Sequence, residues 1–291
     1  MKLADWLRLA RPKQWTKNLL LFAALLFAGR FRSADAWLAA LQACVAYVFL
    51  SSSVYALNDA RDVESDRRHP QKKTRPVASG RVSPLEAVFL SVVWAVIGLV
   101  LAALLGRLSL GLAVGYLALS TLYTHWTKHQ VILDVLSLSG GFVLRAAAGA
   151  AALPVPISEW LLLCTTLLAL FLGLLKRRAE LLAVPAGATG RRRSLEHYSL
   201  SLLDQMIAVA ASSTVVVYAL YAFSSRTAER GPWMMLTIPH VVYGIFRYLY
   251  LAHQKGLGAA PEKALLADRG LQWTLLLYVA TSALIVWLAQ R

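Results

Sequence analysis

The chain has 291 residues, of which 58% are hydrophobic and only 15% charged, and its mean hydropathy is +0.57. Soluble domains carry about a quarter charged residues and disordered chains are far poorer in apolar side chains, so both are excluded; Cys44 and Cys164 lie inside apolar runs, which excludes a disulfide scaffold. The 30 Lys and Arg against 15 Asp and Glu give a net charge of +15, an excess that suits nucleic acid, anionic lipid or a phosphorylated substrate.

Residues 1–17 are predicted to form an interfacial amphipathic segment, because Trp6, Leu7, Leu9 and Ala10 interleave with Arg8 and Arg11. A cleavable signal peptide fits poorly: basic and aromatic residues persist to Lys17 with no small-residue cleavage site behind them. Nine apolar runs follow, at about 18–30, 36–57, 84–106, 109–124, 131–152, 158–176, 205–224, 233–250 and 271–289. About 20 apolar residues span the ~30 Å hydrocarbon core. The expected fold class is therefore an all-α integral membrane protein, a bundle of about nine transmembrane helices forming one domain over residues 1–291.

Nine crossings place residues 1–18 and the loops at about 59–83, 125–130, 176–204 and 247–270 on one side of the membrane. That side holds 23 of the 30 Lys and Arg, the other side six, and Arg145 lies within a run. By the positive-inside rule the N-terminus and those loops are cytoplasmic. A nucleic-acid partner would need a soluble basic domain or a reading motif, and neither is present. Any single loop Lys is explained by topology alone, but ten of the 15 acids share the same side. Acids and bases mixed on one face point to a site handling metal and phosphate.

The sharpest signal ends the second run. In a continuing helix Asn58, Asp62 and Asp66 fall at i, i+4 and i+8, with Tyr55 and Asp59 flanking them. Such a stripe repels itself unless a cation neutralises it, and oxygen-only ligands favour Mg²⁺, which shares itself with substrate phosphates. A capping or solvated acidic turn explains any one of these acids but not the set. The loop behind it, Arg67 to Gly80, sets Arg67, Arg68, Lys72, Lys73 and Arg75 beside the acids, with two prolines and a glycine to shape it. A metal on one face of a diphosphate leaves the other oxygens for such cations. His69 has no partner His or Cys in this stretch, so a structural role is expected for it.

Together, Asn58-Asp59-x-x-Asp62-x-x-x-Asp66 and His69-Pro70-x-Lys72-x-x-Arg75-Pro76-x-Ala78-Ser79-Gly80 on a nine-run membrane bundle resemble the UbiA prenyltransferase superfamily. The resemblance covers essentially the whole chain and implies a Mg²⁺-dependent enzyme that binds and expels diphosphate. Typical prenyltransferases of the superfamily carry a second aspartate motif after the sixth crossing. Here that loop reads Lys176-Arg177-Arg178-Ala179-Glu180, then Arg191-Arg192-Arg193-Ser194-Leu195-Glu196-His197-Tyr198, with Asp204 beyond, and no two acids have i, i+4 spacing. A lipid-anchoring role explains the Arg191–Arg193 triplet equally well. Arg11 to Asn18, Tyr123 to Asp134, Gly140 to Arg145 and Tyr243 to Tyr250 look like one branch of the superfamily. That branch moves 5-phosphoribose from phosphoribosyl diphosphate to a polyprenyl phosphate such as decaprenyl phosphate, for cell-envelope arabinan precursors.

The resemblance implies a bacterial cytoplasmic (inner) membrane location, with the active site on the cytoplasmic side and membrane lipids as surroundings; a homo-oligomer stays open. It also implies roles. Asn58, Asp62, Asp59 and Asp66 hold Mg²⁺, and these three acids with Lys72 make up the catalytic set. Lys73 and Arg75 assist Lys72, while Lys17, Lys128, Arg145, Lys176 and Arg177 grip the donor's 5-phosphate or the acceptor phosphate. Tyr55, Tyr123, Asp134, Tyr198 and Arg247 complete the substrate contacts, although for Tyr123, Tyr198, Tyr243 and Tyr250, each taken alone, interfacial duty is the stronger claim. Arg145 weighs most among the cations, since an Arg in an apolar run is costly unless it meets a polar cavity or a counter-ion. Asp134 is not that counter-ion: the 11 residues between them span about 16 Å of helix. Two rivals remain. A prenyltransferase acting on an aromatic or quinone acceptor would need prenyl diphosphate as donor, and a lipid-phosphate transporter would show repeated halves and helices broken at the midplane.

Overall fold

The computed structural model describes residues 2–68, 72–183, 193–224 and 232–289, and among these all regular structure is helical. Helix α1 (Lys2–Leu9) is amphipathic and buries Asp5 and Leu9. Arg11 then takes a left-handed conformation (φ 53°) and Pro12 opens a 3₁₀ segment, Pro12–Phe22, which runs on as α2 (Ala23–Phe27). Eleven residues of 3₁₀ winding is unusual, because its hydrogen bonds are poorly aligned. Ser33 caps α3 (Ala34–Arg61) through its hydroxyl, and Ser83 and Pro84 do the same work for α5 (Pro84–Leu104), after the short α4 (Val63–Arg68). Gly106 (φ 125°) reverses the chain into α6 (Arg107–His125). There follow α7 (Leu133–Ala151), α8 (Glu159–Ala183), α9 (Leu200–Ser224), α10 (Ile238–Gln254), α11 (Pro261–Ala267) and α12 (Arg269–Ala289).

Six of these, α3, α5, α7, α8, α9 and α12, are long and apolar enough to cross a membrane. These six account for six of the nine expected crossings by length and composition among the described residues. The other three apolar runs are helical but fall short: Lys13, Lys17 and Asn18 interrupt the 3₁₀ segment, glycines and hydroxyl residues dilute α6, and α10 carries His240, Arg247 and His253 in 17 residues. The outer surface is apolar, with Leu85, Phe89, Leu104 and Val209 all exposed. So much exposed apolar surface calls for lipid around it.

Inside, close approach replaces hydrophobic driving force, as expected where the surroundings are as apolar as the core. At Gly98 of α5 a Cβ would come within 2.9 Å of the Ala46 carbonyl of α3. At Gly149 of α7 it would sit 2.2 Å from the Leu21 carbonyl, so that glycine alone lets the 3₁₀ segment lie against α7. One core cluster joins Val135, Phe171, Leu174, Leu203, Ile207, Ile245 and Tyr248 across α7 to α10. Another joins Leu21, Tyr47, Leu50, Tyr116 and Ala148. The ends of α3, α6 and α8 and the start of the 3₁₀ segment are thereby fixed around one polar region.

Candidate active site

The acidic stripe survives a break in its helix. Helix α3 stops at Arg61 and Asp62 leaves helical geometry (φ −90°, ψ 15°), yet the Asp66 amide still donates to the Asp62 carbonyl at 2.8 Å. The stripe therefore passes into α4 without changing face. Its acids divide into two kinds. Asp59 and Asp66, each 2% exposed, are consumed by guanidinium groups. Arg75 reaches Asp59 at 3.1 Å and Asp66 at 2.6 Å, and Arg11 makes a short bond to Asp59 while stacking on Tyr55 at 4.9 Å. Lys72 lies 4.0 Å from Asp66, and Lys73 is exposed.

Asp62 is different: its only ion-pair partner among the described residues is Lys128 at 3.8 Å. Beside it the Asn58 Oδ1 is buried and accepts no hydrogen bond. These two oxygens are what the corner leaves for a hard cation. Among the described residues no three of His, Cys, Asp and Glu surround a common point. A cation here would complete its shell from water and substrate phosphate, as Mg²⁺ does. Asp59 and Asp66, expected as ligands, lie next to this pair but are already neutralised.

Four residues expected to touch substrate are joined to one another in a single network. Arg177, fully buried on α8, donates to Asp134 at 2.6 Å, to Glu180 at 2.6 Å and to the Tyr123 hydroxyl at 3.3 Å. Asp134 also accepts from Ser194 at 3.1 Å and from Tyr198 at 3.0 Å. The Tyr198 hydroxyl accepts in turn from the Ile132 amide at 2.7 Å, where the backbone is left-handed (φ 68°). Burial and the neighbouring carboxylate push the Tyr198 phenol up to about 12, so it stays a neutral donor. This network ties the chain after α8 to the α6–α7 connection.

Arg145 of α7 is also buried, at 5% exposure, but its partners are all neutral. It donates to Asn18 Oδ1 at 2.9 Å, the Gly141 carbonyl at 3.0 Å and the Tyr116 hydroxyl at 2.7 Å, with the Tyr116 ring beneath it. Lys17, beside Asn18, makes no hydrogen bond or ion pair among the described residues, and burial together with the Arg145 charge lowers its pKa to about 8. Glu262 partly offsets this, and Lys176 of α8 is close enough to feel the Lys17 charge. Arg247 stands outside this group. It pairs with Asp268 at 2.8 Å and stacks on Tyr250 at 5.2 Å, next to the exposed rings of Tyr243 and Phe246. His69 and Arg191–Arg193 are named above, but His69, Arg191, Arg192 and the Arg193 side chain lie outside what the structure describes.

Sequence reasoning did not single out Arg11, Asn18, Tyr116 or Ser194 as site residues. Arg11 and Asn18 bound the stretch Arg11-Pro12-Lys13-Gln14-Trp15-Thr16-Lys17-Asn18, whose polarity at the mouth of an apolar run was the available signal. Tyr116 gives none, being one of 11 tyrosines in an apolar chain. An open apolar groove of about 550 Å³ lies along α6 beside Leu99 of α5, lined by Leu99, Val114, Leu117, Thr121 and His125.

Comparison with known proteins identifies the family. Residues 19–267 match the UbiA prenyltransferase family. The chain is 36% identical to a decaprenyl-phosphate phosphoribosyltransferase of Mycolicibacterium smegmatis, over 94% of this chain and 90% of that protein. It is likewise 36% identical to the Corynebacterium glutamicum protein of the same name, over 98% and 88%. In fold it is similar to a UbiA homolog from Archaeoglobus fulgidus bound to GPP and Mg²⁺, with TM-score 0.73 over 97% and 99% of the two chains at 17% identity. With a family match across most of its length, the chain belongs to the UbiA prenyltransferase family.

Proposed function

We propose that this enzyme transfers 5-phosphoribose from phosphoribosyl diphosphate to a polyprenyl phosphate, decaprenyl phosphate being the lipid its relatives are named for, and releases diphosphate. One observation carries the choice of donor. The end of α8, where a prenyltransferase of this family would present a second acid pair, presents Lys176, while Glu180 is held by Arg177 and Asp204 by Arg178, each at 2.6 Å. With Lys176, Arg177 and Arg178 against Glu180, that end of α8 is net cationic. It favours a substrate carrying phosphate of its own over a prenyl diphosphate clamped through a second metal.

Asn58 Oδ1 and Asp62 are the groups that would hold Mg²⁺, which supplies charge neutralisation on the departing diphosphate. Lys128 and Lys72 stand beside the acids as donors to diphosphate oxygens. Arg75 and Arg11 keep Asp59 and Asp66 neutralised, so the corner carries less negative charge than its sequence implies. In the reaction the bond from ribose C1 to the diphosphate oxygen breaks, and its electron pair leaves with diphosphate. A phosphate oxygen of the lipid forms the new bond to C1. No general base is needed, because a phosphate monoester is already ionised near pH 7. The polyprenyl chain lies along the apolar groove on α6, beside Leu99 of α5. The charge asymmetry of the loops supports a site on the cytoplasmic side of a bacterial inner membrane, and a product of this kind would feed cell-envelope arabinan synthesis.

The test is direct. Purified protein with Mg²⁺, labelled phosphoribosyl diphosphate and decaprenyl phosphate should yield labelled lipid and free diphosphate, and folded Asp62→Ala should yield neither. Turnover of a prenyl diphosphate with an aromatic acceptor, and none of phosphoribosyl diphosphate, would overturn the proposal.

A further inference from the structure

The connection between α6 and α7 contains a strained residue for which packing gives no reason. Ile132 sits at φ 68°, ψ −49°, and the Leu133 amide donates across it to the Val131 carbonyl at 2.8 Å. This is the rarer hand of γ-turn, and it has a β-branched residue at its centre, where the backbone crowds the Cβ. The Ile132 side chain is 48% exposed, so little contact is gained in return. Such a conformation persists only where its surroundings over-determine it. Here the holding contact is the Ile132 amide, which donates to the Tyr198 hydroxyl at 2.7 Å, and that hydroxyl is itself fixed by donating to Asp134 at 3.0 Å.

The turn is braced to Lys128. The Asp134 amide donates to the Gln130 carbonyl at 3.1 Å, the Gln130 amide to the Thr127 carbonyl at 3.1 Å and the His129 amide to the Trp126 carbonyl at 3.0 Å. Ser137 of α7 donates to the hydroxyl of buried Thr127 at 2.8 Å. Residues 127–137 therefore move as a unit, and Lys128 is the member of it that reaches the acidic corner, 3.8 Å from Asp62. Lysine is a point charge on a flexible four-carbon stem, so the backbone that carries it decides where its ammonium can rest.

We propose that Ile132 and Tyr198 are positioning residues for Lys128: the γ-turn, clamped by the Tyr198 hydroxyl, sets how far Lys128 stands from Asp62 and from diphosphate bound beside it, a placement that rests on the phosphoribosyl-transfer reading. Neither residue meets the reacting atoms. Without the hydroxyl, nothing opposes relaxation of Ile132 to an ordinary negative φ, and that rotation carries the Lys128 backbone with it. A displacement of about 1 Å at a group that meets substrate is enough to forfeit much of its contribution.

The experiment is a double-mutant cycle on the purified full-length chain in detergent, read as equilibrium binding of inorganic diphosphate with Mg²⁺. Tyr198→Phe should weaken binding roughly fivefold when Lys128 is present and less than about twofold in a Lys128→Met background, where no charge is left to position. A merely structural role would give the same loss in both. Tyr198→Phe/Ile132→Gly should regain most of the affinity, because glycine holds a positive φ without the clamp. The strain itself is read from Tm: Ile132→Gly should melt above Ile132→Ala, the reverse of their usual order, since alanine keeps the crowded Cβ. Equal losses in the two backgrounds, no loss when Lys128 is present, no recovery in the glycine double variant, a higher Tm for Ile132→Ala, or wild type that fails to bind Mg²⁺-diphosphate would each overturn the assignment. The expected cycle in a protein unable to transfer phosphoribose would leave the positioning role standing and remove the proposed function.

Discussion

Two arginines lie buried in neighbouring helices, and their surroundings are opposite. Arg177 of α8 has two carboxylates at 2.6 Å and a tyrosine hydroxyl. Arg145 of α7 has an amide oxygen, a backbone carbonyl and a phenol. Both satisfy their hydrogen bonds, but only Arg177 has its charge cancelled. Desolvating an ion costs several kcal/mol, and opposite charge at contact distance repays this in a way that neutral acceptors do not. Buried charge that is fully paired therefore belongs to the scaffold, and buried charge that is merely hydrogen-bonded waits for a ligand. The two residues look alike in the sequence, each a cation at the edge of or inside an apolar run.

The comparison is broken most directly by removing each charge in turn. Arg177→Met leaves Asp134 and Glu180 without their partner and should cost about 3–5 kcal/mol, read as a large fall in Tm in detergent. The double variant Asp134→Leu/Arg177→Met should recover a good part of that loss. Equal Tm for wild type and Arg177→Met would refute the structural assignment. Arg145→Gln should behave the other way round. It relieves an uncompensated buried charge, so Tm should hold or rise, while kcat/KM for transfer falls roughly 100-fold, the ~1.5–3 kcal/mol of a hydrogen bond to a charged group. A fall in Tm as large as that of Arg177→Met would erase the distinction.

Lys17 sharpens the same contrast through pH. Its pKa is lowered to about 8 by burial and by Arg145, with Arg11 acting in the same sense and Glu262 against it. The cation is present below pH 8 and lost above it. KM for the substrate whose phosphate it grips should therefore climb above pH 8, by about tenfold for each pH unit for one essential proton. Lys17→Arg, which does not titrate, should flatten that limb. Stability follows the opposite sign: the folded state disfavours the charged Lys17, so its cost is full below pH 8 and relaxes as pH rises toward 10.5, the ordinary lysine value.

The helical membrane fold was legible because composition and run length leave no other solution, and Asn58 to Asp66 were legible because a helix keeps i, i+4 and i+8 on one face. Two things were hidden for a physical reason. Asp59 and Asp66 share a stripe with Asp62 in the sequence, but Arg11 and Arg75 reach them from segments 48 and 16 residues away from Asp59, and periodicity carries no information about such contacts. Asp134, Tyr123, Arg177 and Tyr198 have the residue types of a binding site, and only packing turns them toward one another. Three of the nine apolar runs stand out less for a related reason: the 3₁₀ segment and α10 carry polar residues among their apolar ones, and hydropathy along the chain does not separate inward from outward faces.

The smallest effect tests where the scaffold ends. The Tyr198 hydroxyl donates to Asp134 and accepts from the Ile132 amide, so Tyr198→Phe removes one support of a carboxylate that keeps Arg177 and Ser194, and strands one amide. The expected cost is about 1 kcal/mol, a fall in Tm of roughly 2–4 °C for a chain of this size. Because the phenol titrates only near 12, the difference from wild type should be constant across neutral pH, unlike the Lys17 effect. A rise in KM with Tm unchanged would mean that the hydroxyl meets substrate, and the line between the paired and the waiting charges would then have to be drawn on the other side of Asp134.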